Sequence, residues 1–133
     1  DHVLEAGLGF AVKEDKPAGR FGGMIGADAV RAKRNDGLAQ RLMQFRLKDP
    51  QPLLYHNEAI LRDGELIGYL TSGNYGHHLG AAIGLGYVKC AAVGETAKQQ
   101  LQSNYQIDVA GQLVDAEVSF RPMYDPKALQ IRL

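Results

Sequence analysis

Glu58-Ala-Ile-Leu-Arg62, then Asp63-Gly64, then Glu65-Leu-Ile-Gly-Tyr-Leu-Thr71 is the stretch that decides the fold. Two apolar-alternating runs flank an Asp-Gly pair. That pair favours a type I′ turn, whose two central residues both need positive φ, so the stretch predicts a β-hairpin. Downstream, Ser72 to Gly80 reads as a glycine-punctuated loop. Ala81-Ala-Ile-Gly-Leu-Gly-Tyr-Val88 reads as a small-residue strand whose glycines imply a tight bend or close strand packing. Glu95 to Gln102 suits a short amphipathic helix or turn. Tyr105 to Val109, Ala110-Gly111 and Gln112 to Phe120 make a second hairpin. Upstream, Arg41 to Asp49 is a strand with Leu42, Phe45 and Leu47 as its apolar set, and Asp49-Pro50-Gln51-Pro52 breaks it. About six short strands at regular spacing predict a mainly β fold, a small closed barrel or sandwich, and glycines inside them fit the corners of a six-stranded antiparallel barrel better than a flat sheet.

The 39 residues before this region read differently. Val3 to Val12 is followed by a mixed-charge, glycine-rich loop from Lys13 to Gly23. A helix then starts near Gly26-Ala27-Asp28, with Asp28 at its positive end, the basic run Arg31-Lys33-Arg34 at its negative end and Gly37 as its stop. The expected organisation is a helical lead-in over 1–39, a barrel over 40–126 and a tail over 127–133. In the tail, Leu129, Ile131 and Leu133 alternate as an edge strand would.

The chain has 133 residues, one domain's worth, with 15 Lys+Arg against 15 Asp+Glu. A formally neutral chain has no global pull on nucleic acid or anionic lipid, so neither is an expected partner. No run approaches the roughly 18 apolar residues of a membrane helix. The start at Asp1-His2 has neither an initiator Met nor the basic-then-apolar pattern of a signal peptide, which suggests a processed chain or a piece of something longer. The single cysteine, Cys90, allows no intrachain disulfide and no Cys-based zinc site, and it fits a reducing compartment. The expected location is therefore cytoplasmic, or the mitochondrial matrix in a eukaryote.

Few residues point to chemistry. His77-His78 is an adjacent pair whose rings would point to opposite faces of a strand, which argues against a shared metal. Gly7-Leu-Gly9 and Gly84-Leu-Gly86 complete no dinucleotide fingerprint, and Gly22-Gly23-Met-Ile-Gly26 lacks a Walker lysine. Cys90 has no nearby histidine to activate it. No acid, base and nucleophile set stands out, so no catalytic residue is expected in this chain.

The ordered motifs do resemble a known family. Leu4-Glu5-Ala6-Gly7-Leu8-Gly9-Phe10-Ala11-Val12, Asp15-Lys16 and Met24-Ile25-Gly26-Ala27-Asp28-Ala29-Val30 resemble a run in the glycine-cleavage T-protein (aminomethyltransferase) family. Arg41-Leu-Met-Gln-Phe45, Gly68-Tyr-Leu-Thr-Ser-Gly73 and Gly84-Leu-Gly-Tyr-Val88 look like its C-terminal barrel. Asp49-Pro50, Pro52-Leu53-Leu54 and Pro122-Met123-Tyr124-Asp125-Pro126 are closer to its dimethylglycine and sarcosine dehydrogenase branch.

The resemblance implies that residues 1–39 end a folate-binding domain and that the barrel closes the folate pocket. The implied cofactor is tetrahydrofolate, taken to 5,10-methylene-tetrahydrofolate, with FAD only in an upstream domain. The family's catalytic Asp and its pterin-gripping acid lie upstream of this segment. Lys16 stands where the family has a basic folate-contacting residue, suited to a carboxylate of the glutamyl tail. Tyr124 matches a tyrosine that borders the ligand. Tyr75 and His77 are added for their place in the loop after Thr71-Ser72-Gly73. Glu5, Arg41 and Gly73 are expected to be structural, with Arg41 anchoring barrel to lead-in. Expected partners are the rest of the folate-binding domain or a partner subunit, with a homo-oligomer through residues 1–37 as a further expectation. The competing reading is a non-enzymatic barrel used for interaction or assembly.

Overall fold

Two turns with paired positive φ fold the chain back on itself. Asp63 and Gly64 have φ of 51° and 87°, and Ala110 and Gly111 have 53° and 87°. The first pair joins β2 (Ala59–Arg62) to β3 (Glu65–Gly76), and the second joins β5 (Tyr105–Val109) to β6 (Gln112–Ser119). Both hairpins lie where the sequence predicts them. With β1 (Gln40–Leu47) and β4 (Ala81–Lys89), the strands close a barrel in the order β1-β4-β3-β2-β5-β6. Every neighbouring pair is antiparallel. The computed structural model describes residues 2–13, 23–92 and 94–130.

The inner face carries Met43, Phe45, Leu47, Ile60, Leu70, Val88 and Ile107, all essentially inaccessible to water. Phe45 meets Tyr105 edge to face, with ring centroids 5.9 Å apart. The inward set of β1 is thus Met43, Phe45 and Leu47, and Leu42 lies on the other face. A strict period of two allows only residues of one parity inside.

The region 72–80 corrects the sequence reading. β3 continues to Gly76, and only 77–80 turn. The glycines there serve packing: a Cβ on Gly73 would sit 2.6 Å from the Leu54 carbonyl carbon, and one on Gly76 would overlap Ile83. Asn74 and Tyr75 pair with Ile83 and Ala82 as ordinary strand residues. The same logic holds on β4, where a Cβ on Gly86 would stand 2.6 Å from Ile60 Cδ1 and 2.8 Å from the Tyr69 carbonyl oxygen.

One barrel end is closed by the chain between β4 and β5. α2 (Ala97–Leu101) starts with a capping box, Thr96 and Gln99 each satisfying the other's backbone N–H. Its Gln100 is fully buried, and the Tyr105 hydroxyl donates to the Gln100 carbonyl (3.0 Å). Burial pushes the Tyr105 phenol up to about 12. Arg62, inward at the end of β2, donates to both Glu95 oxygens (2.6 and 3.2 Å) and to Ser103 Oγ (2.7 Å). Glu95 also accepts from the Ala91 N–H (2.8 Å). The Arg62 guanidinium holds the Glu95 carboxyl below the usual carboxylate range, against the opposing pull of burial.

α1 (Ala27–Asp36) begins after Gly26 and ends at Gly37, both at positive φ, and buries only Val30. At the other terminus, 127–130 forms no strand where the alternation predicts an edge strand, because Asp125 collects the Leu129 and Gln130 N–H groups (2.7 and 2.8 Å). Residues 131–133 lie outside the described residues.

Candidate functional site

β6 pairs with β1 only from Gln44 to Leu47, which leaves the start of β1 without that neighbour. The lead-in takes the place: the Leu42 N–H donates to the Glu5 carbonyl (2.7 Å). The buried Glu5 carboxylate accepts from Gln40 Nε2 (3.3 Å) and the His2 N–H (3.3 Å), and Lys33 Nζ of α1 lies 3.1 Å away. Burial alone would raise the Glu5 pKa. The hydrogen bonds and charge supplied by Lys33, with Gln40 and His2, outweigh it, and the net direction is down. One carboxylate therefore ties together lead-in, helix and barrel.

Between the lead-in and the barrel lies a cleft of about 430 Å³, walled by Leu4, Leu8, Arg41, Met43, Phe120 and Arg121 among others. It shares Gln44 and Leu85 with a second depression of about 350 Å³ along Ser72, Asn74, Tyr75 and Ile83. The two adjoin at these residues of β1 and β4. A larger depression of about 890 Å³ lies between the start of β5 and the end of β6. Its charges, Arg46 and Lys48 against Asp63, Asp115 and Glu117, include an Arg46–Glu117 pair at 3.0 Å.

At the β3–β4 turn the rings of Tyr75 and His77 meet edge to face at 5.3 Å. The next residue, His78, stacks on Tyr124 at 4.5 Å with planes 16° apart. Tyr124 reaches it because the segment after β6 runs back over β1, where the Met123 N–H donates to Gln44 Oε1 (2.7 Å). Arg46 fixes the turn from below, giving Nε and Nη2 to the Leu79 carbonyl (3.3 and 3.0 Å).

The structure thus gathers Tyr75 and His77, and sets Tyr124 against the residue beside them. Lys16 lies outside the described residues. Gly73 faces the core at Leu54. Arg41 donates Nη2 to the Glu95 carbonyl (3.1 Å) and borders the cleft. Sequence reasoning passed over His78 and Arg121. His78 stood in plain view beside His77, but its ring partner lies far along the chain, and no local signal marks Arg121. Among the described residues, no group of three or more His, Cys, Asp or Glu is placed to hold a metal ion. None of the helices among these residues is long and apolar enough to cross a membrane.

Residues 40–125 match the family model for the glycine cleavage T-protein C-terminal barrel domain. The chain is similar to the 4-methylaminobutanoate oxidase (formaldehyde-forming) of Paenarthrobacter nicotinovorans, 35% identical over 99% of this chain and 15% of that protein. It is 30% identical to an aminomethyltransferase of Geobacillus sp., over 91% of this chain and 30% of that protein. Against human mitochondrial sarcosine dehydrogenase it is 27% identical, over 99% of this chain and 14% of that protein. The chain spans between about a seventh and a third of the length of these curated relatives.

Proposed function

The chain belongs to the glycine cleavage T-protein family through its C-terminal barrel domain, and from that premise we propose that barrel and docked lead-in form one wall of a tetrahydrofolate pocket in a dehydrogenase-type protein. Its whole-protein role would be one-carbon transfer from an amine-derived iminium to give 5,10-methylene-tetrahydrofolate. The observation that carries this is the pair of adjoining depressions, a track from the lead-in cleft past Gln44 and Leu85 to Tyr75. Its cleft end combines aliphatic and aromatic walls with two arginines, Arg41 and Arg121. That donor set fits an extended ligand with a flat body and a carboxylate tail.

Tetrahydrofolate supplies the two nitrogens that accept the carbon. The chain's own residues act on binding and orientation. Gln44 and Leu85 floor the track, and the stacked His78 and Tyr124 rings stiffen its hairpin end. Positioning of this kind lowers the barrier by fixing reactants in a reactive geometry, and the reacting carboxylate would come from elsewhere in the protein. Similarity to proteins named as a 4-methylaminobutanoate oxidase and a sarcosine dehydrogenase supports the dehydrogenase branch.

The exposed apolar residues of the lead-in suit the partner this reading needs. Phe10 is 86% and Ile25 98% exposed. The rest of a folate-binding domain, or a partner subunit, would cover them. The same exposure favours a second reading, an interaction module that self-associates through residues 1–37. Calorimetric titration of the full-length polypeptide with 5-formyl-tetrahydrofolate tests the first reading. Saturable binding that weakens in Tyr124→Ala supports it, and absence of binding refutes it. Concentration-dependent light scattering of the chain, with an oligomer dispersed by Phe10→Ser, would favour the second.

A further inference from the structure

One buried side chain at the closed barrel end is only half used. Among the described residues, the side-chain atoms buried without a hydrogen-bond partner are Arg41 Nε, Glu58 Oε2 and Gln100 Oε1. Of these three side chains only Gln100 is itself fully buried. Its backbone is held at both groups: the N–H donates to the Thr96 carbonyl (3.1 Å), and the carbonyl accepts from the Tyr105 hydroxyl (3.0 Å). Its amide is oriented as well. Arg62 is the largest cause that lowers the Glu95 carboxyl, and a side-chain hydrogen bond from Gln100 adds to it. A carboxylate only accepts, so that bond comes from Nε2 and leaves Oε1 as the atom without a donor. The same Nε2 donates to Cys90 Sγ at 3.5 Å. A buried acceptor with nothing to accept thus stands on the very amide that touches the sulfur, and its lost hydration is not replaced.

We infer that Cys90 is a modification site, converted by hydrogen peroxide to a sulfenic acid that the Gln100 amide cradles. In this step the thiolate sulfur attacks one peroxide oxygen. The S–O bond forms, the O–O bond breaks, and the departing hydroxide joins the proton given up by the thiol to make water. Sulfur is oxidised by two electrons and the peroxide is reduced. The product carries an O–H group beside the sulfur, which is the donor that Gln100 Oε1 lacks, while Nε2 remains a donor to the sulfur or its new oxygen. Cys90 follows β4 and is partly exposed, so a small oxidant reaches it. No second cysteine among the 133 residues stands ready to consume the product as a disulfide. An ordinary thiol is a few per cent thiolate at neutral pH, so slow attack needs no neighbouring histidine. The Cys90 N–H donates to the Ala39 carbonyl (2.9 Å), which puts the site where lead-in and barrel join. The inference is independent of the folate reading.

The test treats the full-length polypeptide with hydrogen peroxide, removes the excess with catalase and adds dimedone, a trap for sulfenic acids, after increasing delays. Trypsin cuts after Lys89 and Lys98, so Cys90 is released in a single peptide over 90–98, and mass spectrometry reads its dimedone adduct. The wild type should give the adduct, and the fall of its yield with delay measures the lifetime of the sulfenic acid. Gln100→Leu keeps the bulk and removes the amide. It should shorten that lifetime about tenfold or more, the scale of one buried hydrogen bond. If Gln100→Leu does not fold, Gln100→Met takes its place. The wild type gives the same comparison without any substitution: its sulfenic acid should outlast, by a similar factor, the one formed on the chain unfolded in urea. Absence of the adduct on 90–98 in folded wild type overturns the inference, as does a peptide that gains two oxygens with no trappable intermediate. A lifetime unchanged in a folded variant, or equal in folded and unfolded wild type, overturns it too.

Discussion

Replacing Glu95 by Gln strikes the ion pair that closes one barrel end. The side chains of Arg62 and Glu95 are 12% and 7% exposed, so neither charge is well hydrated. The substituted amide keeps one oxygen for Arg62 but loses the negative charge, and it presents an NH₂ group to the Ala91 N–H that Glu95 accepts. Removing one partner of a buried pair costs roughly 3–5 kcal/mol, and the surviving neutral hydrogen bond should bring Glu95→Gln to about 2–4 kcal/mol. The assay is urea unfolding of the chain followed by circular dichroism, with slope and midpoint fitted together. The double change Arg62→Leu with Glu95→Leu should cost less than Arg62→Leu alone, because no lone charge is left inside.

The pH dependence has a definite sign. The folded pKa of Glu95 lies below its ordinary value of 4.5, so the pair's stabilisation is fully present above that value. It is lost as pH falls from there through the folded pKa. Glu5 shifts in the same direction, so the acid limb of the Glu95→Gln variant should be shallower than wild type but not flat. A change under about 0.5 kcal/mol, or an unaltered acid limb, would refute the assignment of Arg62 and Glu95 as the latch.

Gly86→Ala should destabilise by about 1–3 kcal/mol, since its Cβ would meet Ile60 at 2.6 Å and the Tyr69 carbonyl at 2.8 Å; an unchanged urea midpoint would contradict the close approach. Phe45→Ala, at a fully buried position, should cost about 3–5 kcal/mol in the same assay. In an ultraviolet titration of folded protein, the step belonging to Tyr105 should come only near 12 and vanish in Tyr105→Phe; loss of a low-lying step in that variant would show the phenol to be solvated.

Local chemistry made the barrel legible. Asp63-Gly64 announces its turn by composition alone, and the small residues of 81–88 announce close packing. The Ser72–Gly80 region reads as a loop because a glycine that avoids a clash looks, in sequence, like a glycine that makes a turn. Only the positions of Leu54 and Ile83 distinguish them at Gly73 and Gly76. Leu42 and Met43 are both apolar neighbours, and the parity of β1 is set by the barrel rather than by hydropathy. At the site, Tyr75, His77 and Tyr124 came from resemblance and loop position, and the structure brings all three to the β3–β4 turn. The His78–Tyr124 stack and the Arg62–Glu95 latch join residues distant in sequence, and single residue types carry no mark of such contacts.

Whether lead-in and barrel together wall a folate pocket is tested most directly by hydrogen–deuterium exchange of the full-length polypeptide, with and without 5-formyl-tetrahydrofolate. Exchange should slow on ligand addition in 4–8, 41–44, 72–78 and 119–124, the segments that line the track and its hairpin end. Saturable folate binding that leaves these four segments unchanged would place the ligand elsewhere and contradict the proposed pocket.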